Sequence, residues 1–211
     1  MYHIPNDKRT IRSATHIYAG LQACLKTKSF EEITITDIQK ASGVSRSTFY
    51  RLFDNLSDVI YWTCDTYLAR SFEAISEEDQ HDELALTRHF VAFWMEQSEF
   101  FELMLQVRQP FILYQCLLQT SGKMRKDEKV PLCASSWTDD TEARYALNLH
   151  AGIIFSLLKT WLEGGRKESI DEVMIILEKQ LDTFSKTRSS RTTLPDQIPP
   201  SKKVLHDHGE S

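Results

Sequence analysis

The sequence predicts an all-α protein: an N-terminal three-helix domain with a helix-turn-helix, followed by a larger C-terminal helical bundle. Apolar residues recur at spacings of three and four over most of the chain, the signature of helices buried on one face. Only seven glycines and six prolines occur in 211 residues, so few helix breakers interrupt the pattern. Near the start, two short helical segments flank a single glycine. On this reading residues 1–54 form the first domain, 55–188 the second, and 189–211 a tail.

Residues 10–28 carry Ile11, Ala14, Ile17, Leu21 and Leu25 on one face of an amphipathic helix. Phe30 and Ile33 anchor a short connection. Thr34 with Asp37 three residues on reads as a helix cap backed by an acidic side chain, opening a helix to about Ser42 with Ile35, Ile38 and Ala41 inward. Gly43 ends it, because glycine takes the left-handed conformation that helix ends commonly need. Ser45 caps a third helix running to about Phe53. Two short helices joined by so tight a turn, with Val44 plugging the corner, are a helix-turn-helix.

Asn55 and Asp58 then cap a long helix from Leu56 to about Ile75, rich in Trp62, Tyr67, Leu68 and Phe72. The polar run SEEDQHDE (76–83) is a loop or helix end. Helical patterns follow at 84–97, 99–109 and 111–124, with Pro110 as the stop between the last two. Residues 126–140 connect to a strong helix at 141–163, ended by Gly164 and Gly165. The last helix, 169–187, carries Val173, Ile176, Leu177, Leu181 and Phe184 on one stripe. From Ser189 the chain is poor in apolar residues and holds three prolines, a composition that predicts disorder. Its His206 and His208 do not by themselves make a metal site.

The 41% apolar content suits a folded core, and no run of about 18 apolar residues predicts a membrane span. The N-terminus lacks the apolar stretch of a signal peptide, so the expected compartment is the cytoplasm, with no membrane partner. Cys24, Cys64, Cys116 and Cys133 are far apart and set in apolar patterns, which favours buried free thiols over disulfides or a metal. The net charge of −5 is uneven: eight basic and six acidic side chains leave residues 1–60 at +2 and the remainder at −7.

At about 100° per residue, Leu52 and Phe53 fall within roughly 60° of Phe49, and these three form the buried face of the third helix. Ser47 and Arg51 lie nearly opposite, Tyr50 and Asp54 beside them, and Arg46 on the flank. Those outward groups suit DNA. Arginine can grip guanine with two donors, hydroxyls can bond phosphates or base edges, and a helix fits the major groove while its predecessor crosses the backbone. Lys8, Arg9 and Arg12 are placed to add phosphate contacts.

The run TITDIQKASGVSRSTFYRLFDNLSDV (34–59) resembles the DNA-binding domain of the TetR family of bacterial transcription regulators, over about residues 9–60. The resemblance implies a homodimer whose N-terminal helices bind a palindromic operator, whose C-terminal domain holds a small ligand, and whose last two helices form the dimer interface. It assigns DNA reading to Ser45, Arg46, Ser47, Thr48, Tyr50 and Arg51 and a phosphate contact to Thr36, with Arg9 and Arg12 in support. Leu56 departs from the family pattern, standing where a phosphate-binding lysine is usual. The implied function is a ligand-responsive repressor. The competing expectation is a co-regulator of the same fold with weakened DNA binding that works through protein contacts.

In the bundle, residues 141–163 are apolar nearly all round, so that helix needs cover on two sides. Ile154, Leu158 and Trp161, with Val173, Leu177 and Leu181, are the expected dimer interface. The middle of the chain is dense in aromatics, and Trp62, Phe90, Trp94, Phe111 and Tyr114 are the candidates for holding an apolar or aromatic effector. His89, Gln106, Arg108, Gln115 and His150 are the candidate polar contacts. No nucleophile elbow, phosphate loop, metal-ligand spacing or paired carboxylates stand out, so neither an enzyme nor a cofactor is expected.

Overall fold

Helix caps set the boundaries of the N-terminal half. A computed structural model describes residues 2–5, 7–75, 82–109, 111–126 and 140–189. The first helix, α1 (Lys8–Leu25), starts two residues before the periodicity predicts, because the Asp7 carboxylate accepts a hydrogen bond from the Thr10 amide at 2.9 Å. A 3₁₀ turn (Phe30–Glu32) leads to α2 (Ile35–Ser42). Here Thr34 Oγ1 accepts from the Asp37 amide at 3.2 Å, while Asp37 accepts from the Thr34 amide at 2.9 Å. This reciprocal pair satisfies two donors that the first helical turn would otherwise leave open.

Gly43 ends α2 with φ 69°, and Ser45 then caps α3 (Arg46–Leu52), its Oγ accepting from the Thr48 amide at 3.2 Å. α4 (Leu56–Glu73) is capped by Asn55, which accepts from the Asp58 amide. Asp58 in turn accepts from the Asp54 amide at 3.0 Å, tying the end of α3 to the start of α4.

Then follow α5 (Glu83–Glu96), α6 (Ser98–Gln106), α7 (Phe111–Lys126), α8 (Asp140–Glu163) and α9 (Ile170–Ser189). The all-α expectation holds, with no strand among the described residues. Nor is any described helix long and apolar enough to cross a membrane. Residues 76–81 and 127–139, which include Cys133, lie outside the described residues, as do Pro110, the side chain of Phe184 and the tail with its two histidines.

Residues through Ile170 form one compact unit and those from Asp171 a second. In the first, α1 packs mainly on α2 and also on α3 and α4, while α4 lies against α7 and α8 against α5 and α7. The α1–α2 crossing is close: a Cβ added at Gly20 would lie 2.9 Å from the Ser42 Cβ. Ala14, Ile17, Leu21 and Leu25 are buried as predicted, but Ile11 is 38% exposed. In α2 only Ile38 is buried, with Ile35 half-buried and Ala41 exposed. The departures share a cause. Helical period ranks a face but does not say which of its residues a neighbour covers; on α1 the buried residues run from Ala14 to Leu25 and leave Ile11 outside.

Besides α2 at Gly43, two more helix ends carry left-handed residues. At the end of α6, Arg108 (φ 55°) lets its amide reach the Leu105 carbonyl and the Gln109 amide reach that of Met104. This is the double-bonded helix terminus in which glycine is usual. At the end of α8, Gly165 (φ 89°) fills the equivalent position and Arg166 (φ 59°) follows. Each of these two ends thus holds an arginine in a conformation that only glycine takes without a Cβ clash. Thermal melts should therefore show Arg108→Gly raising stability by about 1 kcal/mol and Gly43→Ala lowering it by about 1–2 kcal/mol.

Candidate nucleic-acid interface

The third helix presents two unlike faces. Phe49, Leu52 and Phe53 are at most 1% exposed, and Phe49 meets Phe53 at a ring separation of 5.8 Å. Phe53 in turn packs edge-on against Trp62 of α4 at 6.1 Å. Phe53 follows the last helical residue and caps it, so the buried face extends beyond the helix into the α3–α4 junction. Arg46, Ser47, Tyr50 and Arg51 are exposed on the other side, Tyr50 at 46%.

Those outward side chains are partly organised in advance. The Arg46 guanidinium lies 5.5 Å from the Tyr50 ring centre and donates to its hydroxyl at 3.5 Å. Ser45 is exposed, but its hydroxyl is occupied as the cap and also bonds Ser47 Oγ (3.0 Å) and Thr48 Oγ1 (2.9 Å). Thr48 is half-buried. Among the residues singled out on α3, then, Arg46, Ser47, Tyr50 and Arg51 face solvent most openly, while Ser45 and Thr48 shape the helix start.

Thr36 is exposed at the start of α2, and Arg9 and Arg12 are exposed on the first turns of α1. No acidic residue occupies the first turn of α1, where the helix dipole would favour one. Arg9, Arg12 and Arg46 make no ion pair with an acidic group among the described residues. The start of α1 lies near α3, since the Arg51 charge helps hold the Asp7 carboxyl below its usual range, after the larger effect of its bonds from Thr10. Cations of α1 and α3 thus belong to one end of the domain.

Periodicity offers no hint of the segment before α1. The His3 amide donates to the Leu52 carbonyl at 2.8 Å, closing the last turn of α3. The His3 ring meets the Asp54 carboxylate at 3.1 Å, and the Tyr2 hydroxyl donates to Asp65 on α4. This arm straps the third helix to the fourth. Leu56, half-buried, lines an open cleft of about 710 Å³ with Tyr50, Asp54, Arg108 and Gln109, and Gln109 Nε2 donates to Ser57 Oγ at 2.8 Å.

The candidate effector residues fall on three helices. Phe90 and Trp94 are buried on α5, Phe90 edge-on to Phe72 of α4, and Trp94 beside Tyr67 of α4 and Phe100 of α6. The Trp94 indole N–H is buried without a hydrogen-bond partner among the described residues. Phe111 is 68% exposed, stacked 6.3 Å from Phe155, and beside Tyr114, whose hydroxyl donates to Asn148. Trp62 is half-buried against Phe53. Of the polar candidates, His89 bonds the Ser71 carbonyl (2.8 Å), Gln115 accepts from Tyr61, and His150 bonds the Ala146 carbonyl (2.8 Å). Gln106 and Arg108 are exposed. No three His, Cys, Asp or Glu side chains among the described residues are grouped as a metal site.

On α8, Ile154 and Leu158 are buried, whereas Trp161 is half-buried and donates to the Glu168 carbonyl at 2.9 Å. The apolar residues that α8 leaves exposed are Tyr145 (66%) and Leu149 (67%). On α9, Val173 and Leu177 are buried and Leu181 is exposed, along with Ile175 and Ile176.

Fold and geometry define an all-helical protein with a helix-turn-helix near its N-terminus, and known proteins agree at that level. The chain is 33% identical over 72 residues to the HTH-type transcriptional regulator EthR of Mycolicibacterium smegmatis, a match covering 32% of this chain and 33% of that one. It thus spans a third of that relative's length. The crystal structure of Lin0861 from Listeria innocua superposes with a TM-score of 0.70 over 86% of this chain and 96% of that one, at 18% identity, a likeness of fold. No family model matches the sequence.

The cap that orients α2 is sensitive to pH. Hydrogen bonds from Lys28 (2.8 Å) and then Thr34 hold the Asp37 carboxyl well below its ordinary value of 3.8. A depressed carboxyl contributes its stability above the unfolded-state value and loses it as pH falls through the folded-state value. Asp37→Asn should therefore melt below wild type near neutral pH, and the gap should close progressively as the solution is acidified below the usual carboxylate range.

Proposed function

We propose that the chain is a sequence-specific DNA-binding transcriptional regulator that acts in the cytoplasm as a homodimeric, ligand-responsive repressor. The observation that carries this reading is the solvent-facing set Arg46, Ser47, Tyr50 and Arg51 on a short helix whose opposite side is wholly buried. In such a complex α3 enters the major groove, Arg46 and Arg51 contact base edges or phosphates, and Thr36, Arg9 and Arg12 hold the flanking backbone. The local net charge of +2 in residues 1–60 supports it over the acidic total. The likeness to EthR, itself a transcriptional regulator by name, supports the same class.

A palindromic operator requires two copies of the head one helical turn apart, roughly 34–36 Å. The exposed apolar residues of α8 (Tyr145, Leu149) and of α9 (Leu181) are suited to joining them. On this reading an apolar or aromatic effector bearing a hydrogen-bond acceptor binds beside Trp94, where it would bond the indole N–H that has no partner among the described residues. It would act by binding the DNA-competent and incompetent arrangements with different affinity.

Leu56 favours the second reading, a co-regulator that works through protein contacts, because it offers the helix start no cation for a phosphate. Selection of bound duplexes from a random pool separates the two. On the repressor reading a palindrome is enriched, and Arg46→Ala and Arg51→Ala each weaken binding to it by ~5- to 150-fold, the cost of about 1–3 kcal/mol per base contact. Arg9→Ala should weaken all sequences alike and lower the salt slope by about 0.9. Equal, unselective binding by wild type and variants would reject the operator reading. Leu149→Glu should convert the dimer to a monomer in sedimentation, and an unchanged mass would reject this face as the interface.

A further inference from the structure

The turn between α6 and α7 carries a cation that the reading of α3 leaves unused. Arg108 sits there with φ 55°, a conformation that glycine would take without strain. Its neighbours fix it from both sides. Val107 is 2% exposed, and the Gln109 side chain donates to Ser57 Oγ in the first turn of α4 at 2.8 Å. The backbone is tied as well, since the Arg108 amide donates to the Leu105 carbonyl at 3.1 Å and the Gln109 amide to that of Met104 at 2.9 Å. Between these anchors Arg108 is exposed. Backbone strain that the surroundings hold in place, at a residue open to solvent, is a reason to look for a function in the side chain.

Arg108 lines the open cleft of about 710 Å³ together with residues of the DNA-reading head. Tyr50, one of the outward residues of α3, lines it, and so do Thr34 and Ile35 at the start of α2, next to Thr36. The cleft therefore adjoins the surface read as the DNA contact, and one of its walls is a guanidinium from the bundle. Glu31 and Asp54 line it too, yet Arg108 makes no ion pair with either, or with another acidic group among the described residues. The Asp54 carboxylate is instead met by the His3 ring at 3.1 Å. The Arg108 charge is thus open to an anion from outside the chain.

We propose that Arg108 is a DNA phosphate contact, supplied to each half-site by the bundle and not by the helix-turn-helix. With α3 in the major groove, the strand flanking that groove passes Tyr50 and the start of α2 and crosses the mouth of the cleft. There the guanidinium can donate two parallel hydrogen bonds to one phosphate. The contact carries no sequence information; it fixes the register in which Arg46, Ser47 and Arg51 meet the bases. It also makes one turn of the bundle hold the DNA through Arg108 and the start of α4 through Gln109. The inference rests on the operator-binding reading and extends that surface beyond the head.

Binding of wild type, Arg108→Gly, Arg108→Asn and Arg108→Lys to the enriched operator, and to copies of it with single base changes, tests this between about 50 and 200 mM salt. Both uncharged variants should bind every copy more weakly by the same factor. Their salt slope of log K should fall by about 0.9 per bound chain, so the deficit shrinks ~3.5-fold per chain across that range. Arg108→Lys should restore the slope, since lysine serves a phosphate as a point charge. Arg108→Gly should show the loss while melting above wild type, which separates weaker binding from weaker folding. An unchanged slope in the uncharged variants, or a lysine variant as weak as the glycine one, would overturn the proposal. Arg46→Ala on the same operator tells the two possible failures apart. If it weakens binding while the Arg108 variants leave affinity and slope unaltered, the Arg108 contact alone is rejected. If wild type prefers no duplex and Arg46→Ala changes nothing, the operator reading falls and the Arg108 contact with it.

Discussion

A helix of seven residues cannot stand alone in water, because the cost of fixing its first turn is never recovered over so short a length. The third helix exists because Phe49, Leu52 and Phe53 are withdrawn from solvent completely, each contributing about 1.5–3 kcal/mol relative to exposure. That burial fixes which way the polar side points. It also joins the head to the next helix through Phe53 and Trp62, so the orientation of the outward face and the position of α4 are one problem. Caps at Thr34, Ser45 and Asn55 then set where each helix begins, and the left-handed Gly43 sets the corner between two of them.

How much of this could be read from sequence follows from the range of each interaction. The caps join residues three apart, and all three capping residues were legible, Thr34 and Asn55 from the Asp37 and Asp58 that follow them and Ser45 from its place after Gly43. The buried trio of α3 was legible for the same reason, since one face of one helix is a local pattern. Ile11 and Ala41 were misread, because their exposure depends on which residues of α1 and α2 other helices cover, and helical period alone does not carry that. The arm before α1 left no trace in periodicity: its contacts are a backbone amide and two polar side chains aimed at partners far along the chain.

The bundle was less legible. Nearly continuous apolarity along α8 identified a helix covered on more than one side, yet it could not tell which residues serve the chain's own packing. Ile154 and Leu158 are buried within the chain, and Tyr145 and Leu149 are left in solvent. Aromatic density likewise could not separate the closed cluster around Trp94 from the open stack of Phe111 on Phe155. Such distinctions are made by neighbours on other helices, and α5, α7 and α8 meet only in three dimensions.

The arm carries a consequence for the order of assembly. Tyr2 and His3 precede their side-chain partners Asp65 and Asp54 by 63 and 51 positions. During synthesis the arm leaves the ribosome ahead of the head. His3 can bond Leu52 and Asp54 once α3 has emerged, but Tyr2 has no Asp65 to bond until α4 follows. A nascent head cut short before position 65 would hold its arm by His3 alone, and the strap from that arm to α4 would be missing.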